Sequence, residues 1–246
     1  MHPSFLQYLV DPKTHEALKM VCNKKEGEFV VEGFLISSSN SYPIVRGIPR
    51  FSGYKDAHNY TRSFSYEWNK WSRLQFESEN IGKPMEGYTR CMWESITGIN
   101  EQTLGNAVVG DFGCGAGRFI EVARIRQGKV IGIDLSDAVE VARQNFKGDK
   151  NVLICQADIL VPPIKEGVLD SAFSIGVLHH TPDPYKGFKE ISRCVKKGGR
   201  LAVSVYGRGS YYSSKIVNLY RSIFKILWPI LGHYPPVVYA YTTVYT

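Results

Sequence analysis

The chain has no pair of cysteines spaced as C-x-x-C. Its five cysteines, Cys22, Cys91, Cys114, Cys155 and Cys194, are dispersed and odd in number. That excludes a disulfide framework and a cysteine-rich zinc site, and it points to reduced thiols and a cytoplasmic setting. The first residues, M-H-P-S-F-L-Q-Y-L-V-D, lack a basic stretch followed by a long apolar core, so no signal peptide is expected. No run of 18 apolar residues occurs anywhere, and no transmembrane segment is expected. Charge of one sign is not concentrated either. The 30 Lys and Arg against 23 Asp and Glu give a net +7, but they form no basic stripe. A generic basic surface is the better reading, and nucleic acid is disfavoured as a partner.

What is present is organised around Val108–Gly117, V-V-G-D-F-G-C-G-A-G. An apolar run ends in Asp111, and Gly113, Gly115 and Gly117 follow at alternate positions. A helical pattern then starts at Arg118. This predicts a strand, a tight glycine turn and a helix whose free N–H groups face a ligand. The dinucleotide fingerprint G-x-G-x-x-G would put its third glycine at position 118, which is Arg118. That counts against a nicotinamide-dependent oxidoreductase. Further strands are predicted at Lys129–Asp134, Asn151–Gln156, Leu169–Ile175 and Gly199–Tyr206, alternating with helices. The expected fold is α/β, a Rossmann-like doubly wound, mostly parallel sheet. Asp111, Asp134, Asp158 and the Gly176–Asp183 loop all fall at strand carboxyl ends, where such sheets bind ligands.

The D-x-G-x-G-x-G pattern of Asp111–Gly117, with Asp134 ending the second strand, Asp158 following the third, L-H-H-T-P-D-P at 178–184 and K-K-G-G-R-L at 196–201, resembles the class I S-adenosylmethionine (SAM)-dependent methyltransferases of the type 11 group. The resemblance covers about residues 64–207. It implies SAM as cofactor, bound by Asp111, Gly113, Gly115, Gly117, Asp134, Leu135, Asp158, Ile159 and Gly176. Asp134 is then the ribose ligand and Asp158 the neighbour of adenine. His179 and His180 are candidates for a general base. The competing reading makes them pocket walls. Asp183 reads as the N-cap of a helix begun by Pro184.

Residues 1–53 form a small β-rich module, with short strands predicted at Val30–Val31, Phe34–Ile36 and Tyr42–Val45. It is similar to zinc ribbons that precede some methyltransferases. Their cysteine pairs are replaced here by Asp11-Pro12-Lys13-Thr14 and by Leu35–Ser38, so no metal is expected. Residues 54–104 read as a polar linker and a helical, aromatic cover. Tyr66, Trp68, Arg73 and Gln75 are candidates for a lid, with Arg73 a possible partner of the methionine carboxylate; packing on the core is the alternative. Residues 105–207 are the SAM-binding core. Residues 208–246 read as a helical segment broken by Pro229, Gly232, Pro235 and Pro236. No closing hairpin is legible after the fifth strand, which leaves either an incomplete chain or an end rearranged into a substrate cap. The expected activity is methyl transfer to a small-molecule acceptor, at oxygen or carbon rather than nitrogen. An RNA methyltransferase and a non-catalytic partner protein that keeps the fold are the alternatives. No N-P-P-Y-type motif of base amino-group methylation is present. A homo-oligomer is compatible with the sequence.

Overall fold

The computed structural model describes residues 1–52, 72–99, 105–124, 128–207, 219 and 222. The expectations for the linker at 54–65, for Tyr66 and Trp68, and for a helical segment over 208–246 lie outside the described residues, Leu219 and Ser222 apart.

Residues Met1–Val205 form one compact unit. It opens with a 3-10 turn, Pro3–Tyr8, and four antiparallel strands in sequential order: β1 (Lys19–Glu26), β2 (Phe29–Ile36), β3 (Ser41–Val45) and β4 (Ile48–Pro49). The β-rich module is thus present. Three expected short strands are two longer ones, and β1 is an addition the sequence did not suggest. Its sequence K-M-V-C-N-K-K-E is polar and almost wholly exposed. It forms because it pairs along β2 through a turn at Gly27. The likeness to zinc ribbons is not confirmed. Among the described residues no group of three or more His, Cys, Asp and Glu side chains is placed to hold a metal ion. In this module the Asp11 carboxylate, fully buried, joins two turns. It accepts hydrogen bonds from the Lys13 and Thr14 amides on one side, and from Ser37 Oγ, Asn40 Nδ2 and Tyr42 Oη on the other.

Two short helices follow, α1 (Glu77–Asn80) and α2 (Tyr88–Thr97). The core then alternates β5 (Val108–Phe112), α3 (Arg118–Ala123), β6 (Lys129–Asp134), α4 (Ala138–Asn145), β7 (Val152–Gln156), β8 (Leu169–Ile175), α5 (Pro184–Cys194) and β9 (Val195–Ser204). Its five strands are all parallel, in the order β7-β6-β5-β8-β9. The order reverses between β5 and β8, which is where a doubly wound sheet opens a crevice. The fifth strand starts at Val195, before the Lys197-Gly198-Gly199 turn. Its pairing with β8 shifts register there, which accommodates the glycines.

Alternation along these strands sends side chains to two different cores. Val109, Val130, Val152, Ile154 and Phe173 face α2, α3 and α4, with Trp93, Phe119 and Phe146 among their neighbours. Val108, Phe112, Ile131, Ile133, Leu153 and Cys155 face the other way. They pack on α5 and on the N-terminal module through Phe5, Leu9, Leu35 and Ile44. The module also covers the open edge of the parallel sheet. Arg50 bridges Gln156 of β7 in parallel fashion, and the Phe51 amide donates to the Gln156 carbonyl at 2.8 Å. An uncovered edge would be a template for aggregation. Among the described residues no helix is long and apolar enough to cross a membrane.

Candidate functional site

The glycine turn leaves β5 at the crevice and is shaped by its contacts. The amides of Gly113 and Cys114 both donate to the Ile133 carbonyl, at 2.7 and 3.0 Å. Gly113 has φ +89°, and a Cβ there would lie 2.3 Å from a methyl of Val177, in the loop after β8. Gly117 has φ +94°, with the Phe146 ring 2.6 Å from where its Cβ would be. Both positions exclude a side chain by conformation and by space. Gly113→Ala is therefore expected to destabilise the chain by about 2–4 kcal/mol, from left-handed strain plus the collision with Val177. Urea unfolding checks this; an unchanged midpoint would show that the turn tolerates a Cβ.

Asp134 closes the turn from β6. Its Oδ2 accepts the Gly115 amide at 2.9 Å, and its Oδ1 accepts both the amide and the hydroxyl of Ser136, at 2.8 and 2.6 Å. A carboxylate offers about four acceptor positions, and the Ser136 hydroxyl can turn away from one of the three in use, so room for two further donors can be made on this half-buried group. Asp111, on β5, is buried, and its Oδ2 has no hydrogen-bond partner among the described residues. Burial and the neighbouring Asp134 push its carboxyl well above the usual range, while Arg118 opposes the shift. An orphaned buried carboxylate beside a second one favours a cationic ligand.

The remaining candidates divide. The Gly176 amide donates to the Ser204 carbonyl at 2.9 Å, which sets the crevice side of β8 and β9. His179 and His180 lie in a 3-10 turn, Leu178–His180, just past Gly176, with ring centroids 4.1 Å apart. Burial lowers the pKa of both rings, and His180 lowers that of His179 further. Asp183 is the N-cap expected of it, accepting the Lys186 amide at 2.9 Å ahead of Pro184. Asp158 holds its own loop, its Oδ1 accepting the Leu160 amide at 2.8 Å. The Ile159 side chain is buried in the core shared with the N-terminal module, so only its backbone is left for the crevice. Arg73 is not brought to the loop residues. It is engaged with Glu79 Oε1 at 2.8 Å and Ser78 Oγ at 2.9 Å, and it stacks over Phe76.

Sequence reasoning passed over several residues that build the site. Asn145 Nδ2 donates to the Ala116 carbonyl of the glycine turn and to the Ser72 carbonyl. Glu121 of α3 accepts from the Glu77 amide and Ser78 Oγ, and Gln75, which the sequence did single out as a lid candidate, accepts from Arg118. The cover segment is thereby fastened to the helix that follows the glycine turn. Ser136 was signalled by the D-x-S spacing after Asp134, which suits a turn bonded to its own carboxylate.

Residues 110–203 match a family of methyltransferase domains. The matched segment holds the glycine turn, Asp134, Asp158 and the loop after β8, so it is this core that is similar to a methyltransferase domain. Among similar proteins is a tRNA U34 carboxymethyltransferase of Methylococcus capsulatus, 28% identical over 137 residues, covering 54% of this chain and 42% of that one. Another is a 27-O-demethylrifamycin SV methyltransferase of Amycolatopsis mediterranei, 28% identical over 125 residues, covering 48% and 45%. A solved structure from Methanococcus maripaludis aligns over 72% of this chain and 78% of its own, with 18% identity and a TM-score of 0.48. The chain thus spans less than half the length of these two curated relatives. One of them is named for tRNA and the other for 27-O-demethylrifamycin SV, so the expectation against nucleic acid finds no support among them.

Proposed function

We propose that the whole chain is a SAM-dependent methyltransferase acting on a small-molecule acceptor through an oxygen or carbon nucleophile. The observation that carries this reading is the meeting of the glycine turn, the orphaned Asp111 carboxylate and Asp134 at the switch point between β5 and β8. These groups fit the cofactor: a backbone turn stripped of side chains, and two carboxylates for a cationic, diol-bearing ligand. When bound, the cofactor supplies a methyl on a sulfonium, already electrophilic.

In this reading Asp134 accepts the ribose hydroxyls and Asp158, with the backbone of Leu135 and Ile159, borders the adenine. Asp111 answers the ligand's positive charge. Gly113, Gly115, Gly117 and Gly176 let the main chain approach. Positioning of the acceptor in line with the methyl accounts for most of the acceleration, up to about 7–11 kcal/mol in favourable cases. A base that takes the acceptor's proton adds about 10²–10⁴-fold. His179 or His180 fills that role, since burial keeps each imidazole neutral and able to accept at neutral pH. The rate is then expected to rise with pH through an apparent pKa below the ordinary 6.5, and to be flat above it. A pH–rate profile of the parent and of His180→Ala checks this; a profile identical in the two would remove His180 as the base.

Calorimetric titration of the full chain with SAM and S-adenosylhomocysteine tests the cofactor, and absence of binding by folded chain would overturn the reading. Incubating it with methyl-labelled SAM and a cell extract tests the acceptor. Label in the dialysable fraction supports a small molecule. Label removed by ribonuclease supports the second reading, an RNA acceptor, the substrate class in the names of some similar proteins, the tRNA methyltransferases.

A further inference from the structure

The end of the N-terminal module runs beside β7 and reaches the same loops that carry Leu135 and Asp158. The Arg50 guanidinium, largely buried, donates through Nη1 to Gln156 Oε1 at 2.8 Å and pairs through Nη2 with Glu140 of α4. Gln156 is buried, and its Nε2 donates to the Leu135 carbonyl at 3.2 Å. Both ends of that amide are therefore committed: its oxygen to Arg50, its nitrogen to the residue after Asp134. The reversed amide would set an NH₂ against the guanidinium and lose both bonds. Two residues on, Ser52 Oγ accepts the Asp158 amide at 3.2 Å, and the Gln156 carbonyl accepts the Phe51 amide. One short segment, Arg50–Ser52, thus holds the backbones of both loops that follow β6 and β7.

We infer that the N-terminal module fixes the adenine end of the cofactor pocket, with Arg50 and Ser52 as positioning residues that act through Gln156, Leu135 and Asp158. The inference rests on the reading of Asp134, Leu135 and Asp158 as the adenosine-binding set. It assigns the module a function within the same chain: without it, β7 would be an uncovered sheet edge, and the Asp158 amide and the Gln156 side chain that holds Leu135 would lose their partners. Since the loops are held and not touched by the ligand's other end, the effect falls on adenosine recognition alone.

The test is calorimetric titration of Arg50→Ala in the full chain with S-adenosylhomocysteine and with 5′-methylthioadenosine, which lacks the amino-acid end. Affinity for both is expected to fall by the same factor, about tenfold, the scale of one charge-assisted hydrogen bond lost behind the pocket wall. Arg46→Ala removes the exposed partner of the same Glu140 and is expected to leave both affinities unchanged. Arg50→Lys can keep the Glu140 pair but not the fork to Gln156, so it is expected to stay weak. Affinities of Arg50→Ala within twofold of the parent would overturn the inference, as would a loss confined to S-adenosylhomocysteine or full recovery in Arg50→Lys. If Arg50→Ala does not fold, Ser52→Ala decides, with about a threefold loss for both ligands expected and none overturning the idea. A parent chain that binds neither ligand would instead sink the cofactor reading itself.

Discussion

Asp134→Ala is expected to weaken SAM binding by a hundredfold or more. Two ribose hydroxyls donating to one carboxylate are worth about 1.5–3 kcal/mol each, and 1.4 kcal/mol is a factor of ten. The same carboxylate holds the Gly115 amide and Ser136, so the variant also loosens the turn against which the ligand lies. Those two effects separate experimentally. Ser136→Ala removes only one donor from Oδ1 and leaves the carboxylate for the ligand, so it is expected to cost several-fold at most. Calorimetry of both variants, with thermal unfolding alongside, makes the comparison. A folded Asp134→Ala chain that binds SAM within threefold of the parent would mean that the ribose is held elsewhere.

The second large effect falls on stability. Asp11→Ala is expected to cost about 3–5 kcal/mol, because five donors lose one buried anionic acceptor at once. Total stabilities of about 5–15 kcal/mol make that a large share. Burial alone would raise the Asp11 carboxyl. Hydrogen bonds from Ser37, the Lys13 amide, Tyr42 and Asn40 outweigh it and hold the group well below the usual carboxylate range. A folded-state pKa depressed in this way gives stability that is fully present above the unfolded value, near 3.9, and is lost as pH falls below it. The difference between parent and Asp11→Ala in urea unfolding is therefore expected to be constant from about pH 5 to 8 and to shrink below about pH 4. A difference that grows toward acid pH would show that Asp11 is not the acceptor described.

The core was legible because its signals are local. Lys129–Asp134 and Leu169–Ile175 are strands with those bounds, since an apolar run closed by an acid or a glycine leaves little choice. The glycine turn was legible for the same reason, its spacing being dictated by what Val177 and Phe146 leave free. The N-terminal module was legible only as strands. Asp11 stood out as a residue in a cysteine's place, while its five partners lie up to 31 residues away and share no pattern with it. The same holds for Arg50, whose use depends on Gln156 and Glu140, each about a hundred residues on. Arg73 shows the converse: a cation in a promising segment is already engaged by Glu79, six positions along and on the next helix. Single charges read from sequence carry no record of their partners.

The covered sheet edge also sets an order of events during synthesis. Arg50 and Gln156 are 106 residues apart, and Leu9 meets Ile164 only later still. Ribosomes add about 5–20 residues per second, so the module emerges about 5–20 seconds before the strand it flanks exists. Throughout that interval Phe5, Leu9, Leu35 and Ile44 have no core to cover. Contacts so distant in sequence also make for slow folding once the chain is complete. The chain's yield on expression should accordingly depend on temperature and on chaperones that shield apolar surface more than its final stability would suggest.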